Sequence, residues 1–409
     1  MRAYQRLLEY VKYGTASSET TGTTPSTPGP KVLGTALRIE LESLGIPAEC
    51  DENGYVYAQI PATEGCGDVP AVGFIAHMDT SPEASGEPAQ WQVLNYQGGD
   101  IVLNKDKNIV LSLERFPGVA KYAGEQLVVT DGTTLLGADD KAGIAIIVET
   151  ARYFVEHPEI PHAKLCFAVT PDEEVGRGTE NFDIEEFGAQ YAYTFDGDEL
   201  GGFETETFNA AMVKVHFEGL NVHPGSAKNK MVNAIRMAMD FIARLPAESA
   251  PEKTEGHEGF FHPMGISGAV RGVDLKMLIR DHSNSRFEDR MNYVRKMVEE
   301  MNKVWGDRVT ADIKVQYHNL KNYLDKHPAV CELAREAYRR IGVEIHEKPV
   351  RGGTDGARLS AKGLPTPNLF TGGMNYHGVY ECLSVTGIQR ALDLGIMLGK
   401  MSAEVKTLD

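Results

Sequence analysis

Hydrophobic positions change period several times along the chain. MRAYQRLLEYVKYG carries apolar residues at helical spacing, and KVLGTALRIELESLGI does so again after a polar stretch, SSETTGTTPSTPGP (17–30), that reads as a loop. GYVYAQIP alternates like a strand. From Ala71 to Ala76 the chain is apolar without interruption, as in a strand covered on both faces, and it then meets His77 and Asp79. Residues 86–108 show no period, contain glycine and read as an irregular insertion. A helix is predicted from about Ala142 to His157, followed by two strands that run into acids, KLCFAVTPDEE and YAYTFDGDE. Strands separated by helices and ending in polar residues predict an α/β sheet with a site at the carboxyl ends of its strands.

Near Phe208 the rhythm changes. AAMVKVHFEG alternates, KMVNAIRMAMDFIARL is helical, and GISGAVRGVDLKMLIRDH offers two strands. RFEDRMNYVRKMVEEMNKVWG is helical again, and TADIKVQYHNL alternates. This β-α-β-β-α-β order is that of a ferredoxin-like unit. From about Lys321 the patterns of a core domain resume and run to a final helix. One domain is thus predicted to be inserted into another: 208–318 within 1–207 and 319–409.

Length agrees with two domains, because 409 residues exceed what one core usually serves. The net charge of −17, from 58 acidic and 41 basic residues, disfavours nucleic acid and anionic membranes and suits a site that holds cations. No apolar run approaches the roughly 20 residues of a membrane span. The N-terminal helix lacks the features of an export signal. Cys50, Cys66, Cys166, Cys331 and Cys382 are scattered without CxxC spacing, which predicts reduced packing thiols and a cytoplasmic location.

The candidate chemistry gathers at the predicted strand ends: His77 and Asp79, Asp139 and Asp140 in LLGADDKAG, Glu173 and Glu174 in TPDEEVG, Asp196 in FDGDE, and His377 in GGMNYHG. Singly, each has an ordinary explanation, since acids favour helix N-termini and loops. Together, at one edge of one sheet, they would be costly to hold without a cation. Two imidazoles among carboxylates suit zinc better than magnesium or calcium. Asp79, two residues beyond His77, is placed to accept the other ring N–H of a ligating histidine.

HMDT, LLGADDKAG, TPDEEVG, FDGDE, NVHPGSAKNKMVNA and RGGTDGARLSAKGLPTPNLFTGGMNYHG stand in an order that resembles the M20 family of dinuclear zinc peptidases, over essentially the whole chain. The resemblance implies a zinc-peptidase catalytic domain with a central mixed sheet, plus an inserted α+β dimerisation or lid domain. It implies two Zn²⁺ per subunit, with Co²⁺ or Mn²⁺ as substitutes. His77 and Asp196 would hold one ion, Glu174 and His377 the other, and Asp139 would bridge them. Asp79 would act behind His77, Glu173 would be the general base, and Asp140 would follow Asp139 through a cis peptide bond. Such a cluster sums to zero charge with a bridging hydroxide, as a partly buried site requires. His223, Asn233, Arg280 and Arg351 would bind substrate, and a homodimer would place His223 in the partner's site. The implied activity is release of the N-terminal residue from tripeptides. The same scaffold also serves amidohydrolases and dipeptidases acting on N-acyl amino acids or dipeptides, and a peptide-binding dimer without catalysis is the reading from another class.

Overall fold

The apolar run after Ala71 becomes strand Val72–His77, every residue of which is buried. It lies between strands Leu165–Thr170 and Tyr191–Gly197 and is parallel to both. This computed structural model describes residues 2–86 and 90–408. Its larger unit comprises Met1–Thr205, Tyr323–Lys348 and Thr354–Asp409. The eight-stranded sheet of that unit runs in the order Ala48–Cys50, Val56–Ile60, Leu165–Thr170, Val72–His77, Tyr191–Gly197, Asn368–Phe370, Gly202–Glu204 and His346–Glu347. Its four middle strands are parallel, and Val56–Ile60 and Gly202–Glu204 flank them antiparallel, so the sheet is mixed.

Helix Ala138–Glu156 packs on Val72–His77 and Tyr191–Gly197 and is itself covered by the C-terminal helix Val385–Ser402. Covered this way, it buries nearly its whole first half, which explains why GIAIIV carries no polar face. Because the middle strands share one direction, His77, Thr170 and Gly197 all end at the same edge. That edge carries the candidate chemistry.

The stretch 86–108 is more ordered than its sequence predicts. Trp91–Asn95 pairs antiparallel with Gln126–Thr130 at the edge of a second, four-stranded sheet, and Ile101–Asn104 pairs with Ile109–Leu111. Tyr96, Ile101, Leu103, Leu111, Val119 and Tyr122 share a small core beneath them. Trp91–Asn95 is largely exposed, so it shows no alternation from which a strand could be read. Residues 87–89 of that stretch lie outside the described residues.

The second unit comprises Glu206–Asn322 and the separate segment Pro349–Gly353. Its four-stranded antiparallel sheet has the order Phe260–Ala269, Gly272–Asp281, Asn209–Glu218 and Val309–Tyr317. Helices Ala234–Ala243 and Asn284–Trp305 supply Met237, Phe241, Phe287, Met291 and Val294 to a core shared with Val213, Val215, Leu275 and Met277 of the sheet. Segment Pro349–Gly353 joins this unit because Val350 bridges Thr207 and its N–H donates to the Glu206 carbonyl. Among the described residues no helix is long and apolar enough to cross a membrane.

Candidate metal centre

His77 closes its strand, and the next residues hold its ring. Its Nδ1 lies 3.0 Å from the carbonyl oxygen of Asp79 and 3.4 Å from that residue's carboxylate. Since the strand stops at His77, the backbone carbonyl is the nearer acceptor, rather than the carboxylate that strand alternation suggested. The Asp79 carboxylate instead accepts the N–H groups of Glu173 (2.9 Å) and Glu174 (3.1 Å). One buried aspartate therefore fixes both the imidazole and the turn that carries the glutamate pair. With Nδ1 turned to the Asp79 carbonyl, Nε2 faces the acids, 3.0 Å from Asp139 Oδ1 and 3.3 Å from Asp196 Oδ1.

A second group lies beside the first. His377 Nε2 stands 3.0 Å from Glu174 Oε2 and 3.3 Å from Asp139 Oδ2. His377 has φ +61°, a left-handed backbone that a non-glycine residue seldom adopts. Asp139 is thus common to two triads, His77–Asp139–Asp196 and Asp139–Glu174–His377, each with donor atoms within 4.8 Å of one another. It offers one oxygen to each. The peptide between Asp139 and Asp140 is cis, and both residues depart from helical φ and ψ inside the start of their helix. Asp140 turns away from the triads, where its carboxylate accepts from the N–H groups of His77 (3.1 Å) and Gly143 (3.0 Å).

The donor chemistry fits zinc. Separations of 3.0–3.3 Å between ligand atoms approximate the edge, about 3.3 Å, of a tetrahedron with bonds of about 2.0–2.1 Å. Glu174 Oε1 is buried with no hydrogen-bond partner among the described residues. The electrostatics point the same way. Burial works against charge on His77, yet Asp196, Asp139 and Asp79 push its pKa well above the usual range. His377 is pushed up to about 11, chiefly by its hydrogen bonds with Asp139 and Glu174. Burial raises Asp196 to about 7, against the pull of His77. For Asp139 burial acts upward but is outweighed by hydrogen bonds from His377 and His77, and the pKa is lowered. Cationic imidazoles here stand in for positive charge that the acids require.

Glu173 belongs to neither triad. Burial raises its pKa first, then the charges of Asp355 and Asp196, partly offset by His77 and Arg358. Arg358 Nη1 lies 3.8 Å from its carboxylate. The neighbouring glutamates diverge from a turn that Asp172 enters at φ +60°.

Sequence reasoning missed Asp172, Asp355, Arg358 and Glu381. Asp172 holds the Ser26 N–H with both oxygens, at 2.9 and 2.8 Å. Asp355 accepts the Thr170 hydroxyl at 2.8 Å. Glu381 accepts three backbone N–H groups from the segment leading into Asp139. The only signal for Glu381 is a lone acid in a buried run four residues after His377.

His223, Asn233, Arg280 and Arg351 all lie in the second unit. His223 is exposed, and its Nδ1 accepts the Gly225 N–H at 3.1 Å. Asn233 caps helix Ala234–Ala243 through the Ile235 N–H. Arg280 donates to Gln316 at 3.1 Å and lies over the Tyr317 ring. Arg351 donates to the carbonyls of Gly256 and Glu258 and to the Thr254 hydroxyl, and it lies over Phe208 and Phe260.

Comparison with known proteins agrees with this architecture. Residues 205–306 match the family described as the peptidase dimerisation domain of M20 proteins. Peptidase T of Parabacteroides distasonis is 47% identical over 404 residues, covering 98% of this chain and 99% of that protein. Peptidase T of Clostridium acetobutylicum is 48% identical over 403 residues, covering 98% of both. The crystal structure of the aminopeptidase PepT from Bacillus cereus superposes with a TM-score of 0.77 at 23% identity, over 98% of each chain, which speaks to the fold. By sequence along its full length and by fold, the chain belongs to the peptidase T family of M20 metallopeptidases.

Proposed function

We propose that this protein is a two-zinc aminopeptidase that releases the N-terminal residue of tripeptides. The observation that carries the reading is the Asp139 carboxylate, which turns one oxygen to each of two adjacent triads. His77 and Asp196 would hold one ion and Glu174 and His377 the other, with Asp139 serving both. When bound, two such ions acidify a water and polarise a peptide carbonyl. Asp79 keeps the His77 ring oriented and the glutamate turn in place.

Glu173, close to the ligands yet outside both triads, takes the proton of the attacking water and passes it to the leaving amine. His223 stabilises the developing oxyanion, and Asn233, Arg280 and Arg351 serve substrate binding. Each would have to give up or share the partner it now has in the second unit. We place the enzyme in the cytoplasm as a homodimer joined through the second unit, whose sequence matches a dimerisation domain.

The test is hydrolysis of di-, tri- and tetrapeptides and of N-acetyl tripeptides by zinc-loaded protein, with products identified. Free-amine tripeptides should be cleaved fastest, after the first residue. Preference for the N-acetyl forms would favour an amidohydrolase, and binding without cleavage would leave a peptide-binding dimer.

A further inference from the structure

Helix Ala138–Glu156 starts irregularly. Its N-cap is Gly137, at φ +77°, with no side chain to cap the helix, and Asp139 and Asp140 are non-helical. The N–H groups at the start of any helix have no partner within it and must be met from outside. Three of them converge on one side chain. Glu381 Oε2 accepts from Leu136 N–H and Gly137 N–H, each at 2.7 Å, and Oε1 accepts from Asp139 N–H at 2.9 Å. Glu381 is 2% exposed, and among the described residues these are the only hydrogen bonds of its carboxylate. The nearby buried ammonium of Lys141 is bonded to the Tyr13 carbonyl at 2.9 Å.

Glu381 also belongs to the loop that carries His377. Its own N–H donates to the Gly378 carbonyl at 3.1 Å, closing the turn directly after the histidine. Asp139 and His377 meet at 3.3 Å between Oδ2 and Nε2, although 238 residues separate them (377 − 139). A single carboxylate therefore bonds one of the two loops and is part of the other. We propose that Glu381 is a positioning residue for the metal centre: an acceptor-only clamp that sets Asp139 against His377 and so governs affinity at the Asp139–Glu174–His377 position. The proposal rests on the two-metal reading given above. An acceptor-only group is required because all three contacts are N–H donors. A glutamine of the same shape must turn its NH₂ toward either Asp139 N–H or the Leu136–Gly137 pair, and one contact becomes donor against donor.

The experiment titrates Co²⁺ into metal-free wild type and metal-free Glu381→Gln, following visible absorption and binding heat, and records thermal unfolding of both metal-free proteins. Wild type should bind two equivalents. The variant should keep its metal-free melting temperature within a few degrees and bind the first equivalent nearly as wild type. Its second equivalent should bind about 10–100-fold more weakly, the range for a lost partner behind a ligand. Unchanged binding of both equivalents would overturn the proposal. So would equal weakening of both with a much lower metal-free melting temperature, which marks an ordinary fold residue. If Glu381→Gln does not fold, Glu381→Asp carries the test: it keeps the charge, is one methylene short of spanning all three donors, and faces the same outcomes. A wild type that takes up no second equivalent would sink the two-metal reading itself, a failure visible before any variant is compared.

Discussion

Each unit holds acids in buried or part-buried surroundings, and the two units treat them differently. In the second unit Asp281 ends its strand fully buried, and arginines close it off: Arg286 at 3.1 Å and Arg290 at 2.9 Å, with Ser283 N–H at 2.9 Å. In the larger unit Asp139, Glu174 and Asp196 face two histidines and one another, with no lysine or arginine within ion-pair distance among the described residues. The first arrangement is complete in itself, because the protein supplies both signs of charge. The second has only imidazoles to set against its acids. A buried acid is therefore no sign of function; a buried acid whose nearest charged neighbours are other acids and imidazoles is.

The sharpest way to test that distinction is Glu173→Gln, which changes an acid beside the two triads but in neither of them. Turnover should fall by about 10²–10⁴-fold or more while two zinc ions per chain remain, measured by steady-state kinetics and elemental analysis. Zinc lost in step with activity would make Glu173 a ligand and reverse the roles of the pair. The closed acid gives the opposite expectation. Arg290→Ala should destabilise folding by up to about 3–5 kcal/mol in chemical denaturation, because it strips one partner from a buried charge. Zinc content of the folded fraction should not change, and a drop there would blur the contrast between the units.

Two smaller effects concern residues of the second unit. Mixing inactive His223→Ala and Glu173→Ala proteins, after dissociation and reassociation, should restore about a quarter of wild-type activity if His223 acts in the partner's site, since half the dimers are mixed and each has one intact site. No recovery, with mixed dimers shown to form, would leave His223 serving its own chain. Asn233→Ala should cost about 1 kcal/mol of stability through the lost helix cap, whereas Asn233→Ser keeps the cap. If the serine variant, at native stability, shows an unchanged KM, Asn233 is a cap and does not bind substrate.

What could be read from the sequence was what short-range pattern encodes. The strands ending at His77, Thr170 and Gly197 announce themselves by apolar runs, and parallel packing then places their ends together. Imidazole and carboxylate types alone point to a metal centre. Asp355 and Glu381 gave no comparable signal, because their partners are backbone N–H groups and a hydroxyl from distant segments, which leave no periodicity. Trp91–Asn95 escaped for a related reason. An exposed edge strand is held by its pairing with Gln126–Thr130, and pairing has no composition.

Segment Pro349–Gly353 has a consequence for modularity. The second unit is one body in space but two pieces of gene, and its smaller piece lies 26 residues beyond the larger (323 to 348). A fragment expressed as 206–322 would lack Val350, which bridges Thr207, and Arg351, whose guanidinium gathers the 254–258 loop against Phe208 and Phe260. Recombination between relatives that swaps 206–322 alone would splice a foreign 254–258 loop onto a resident arginine. Exchange of this unit as a cassette thus requires two cuts more than its linear map suggests.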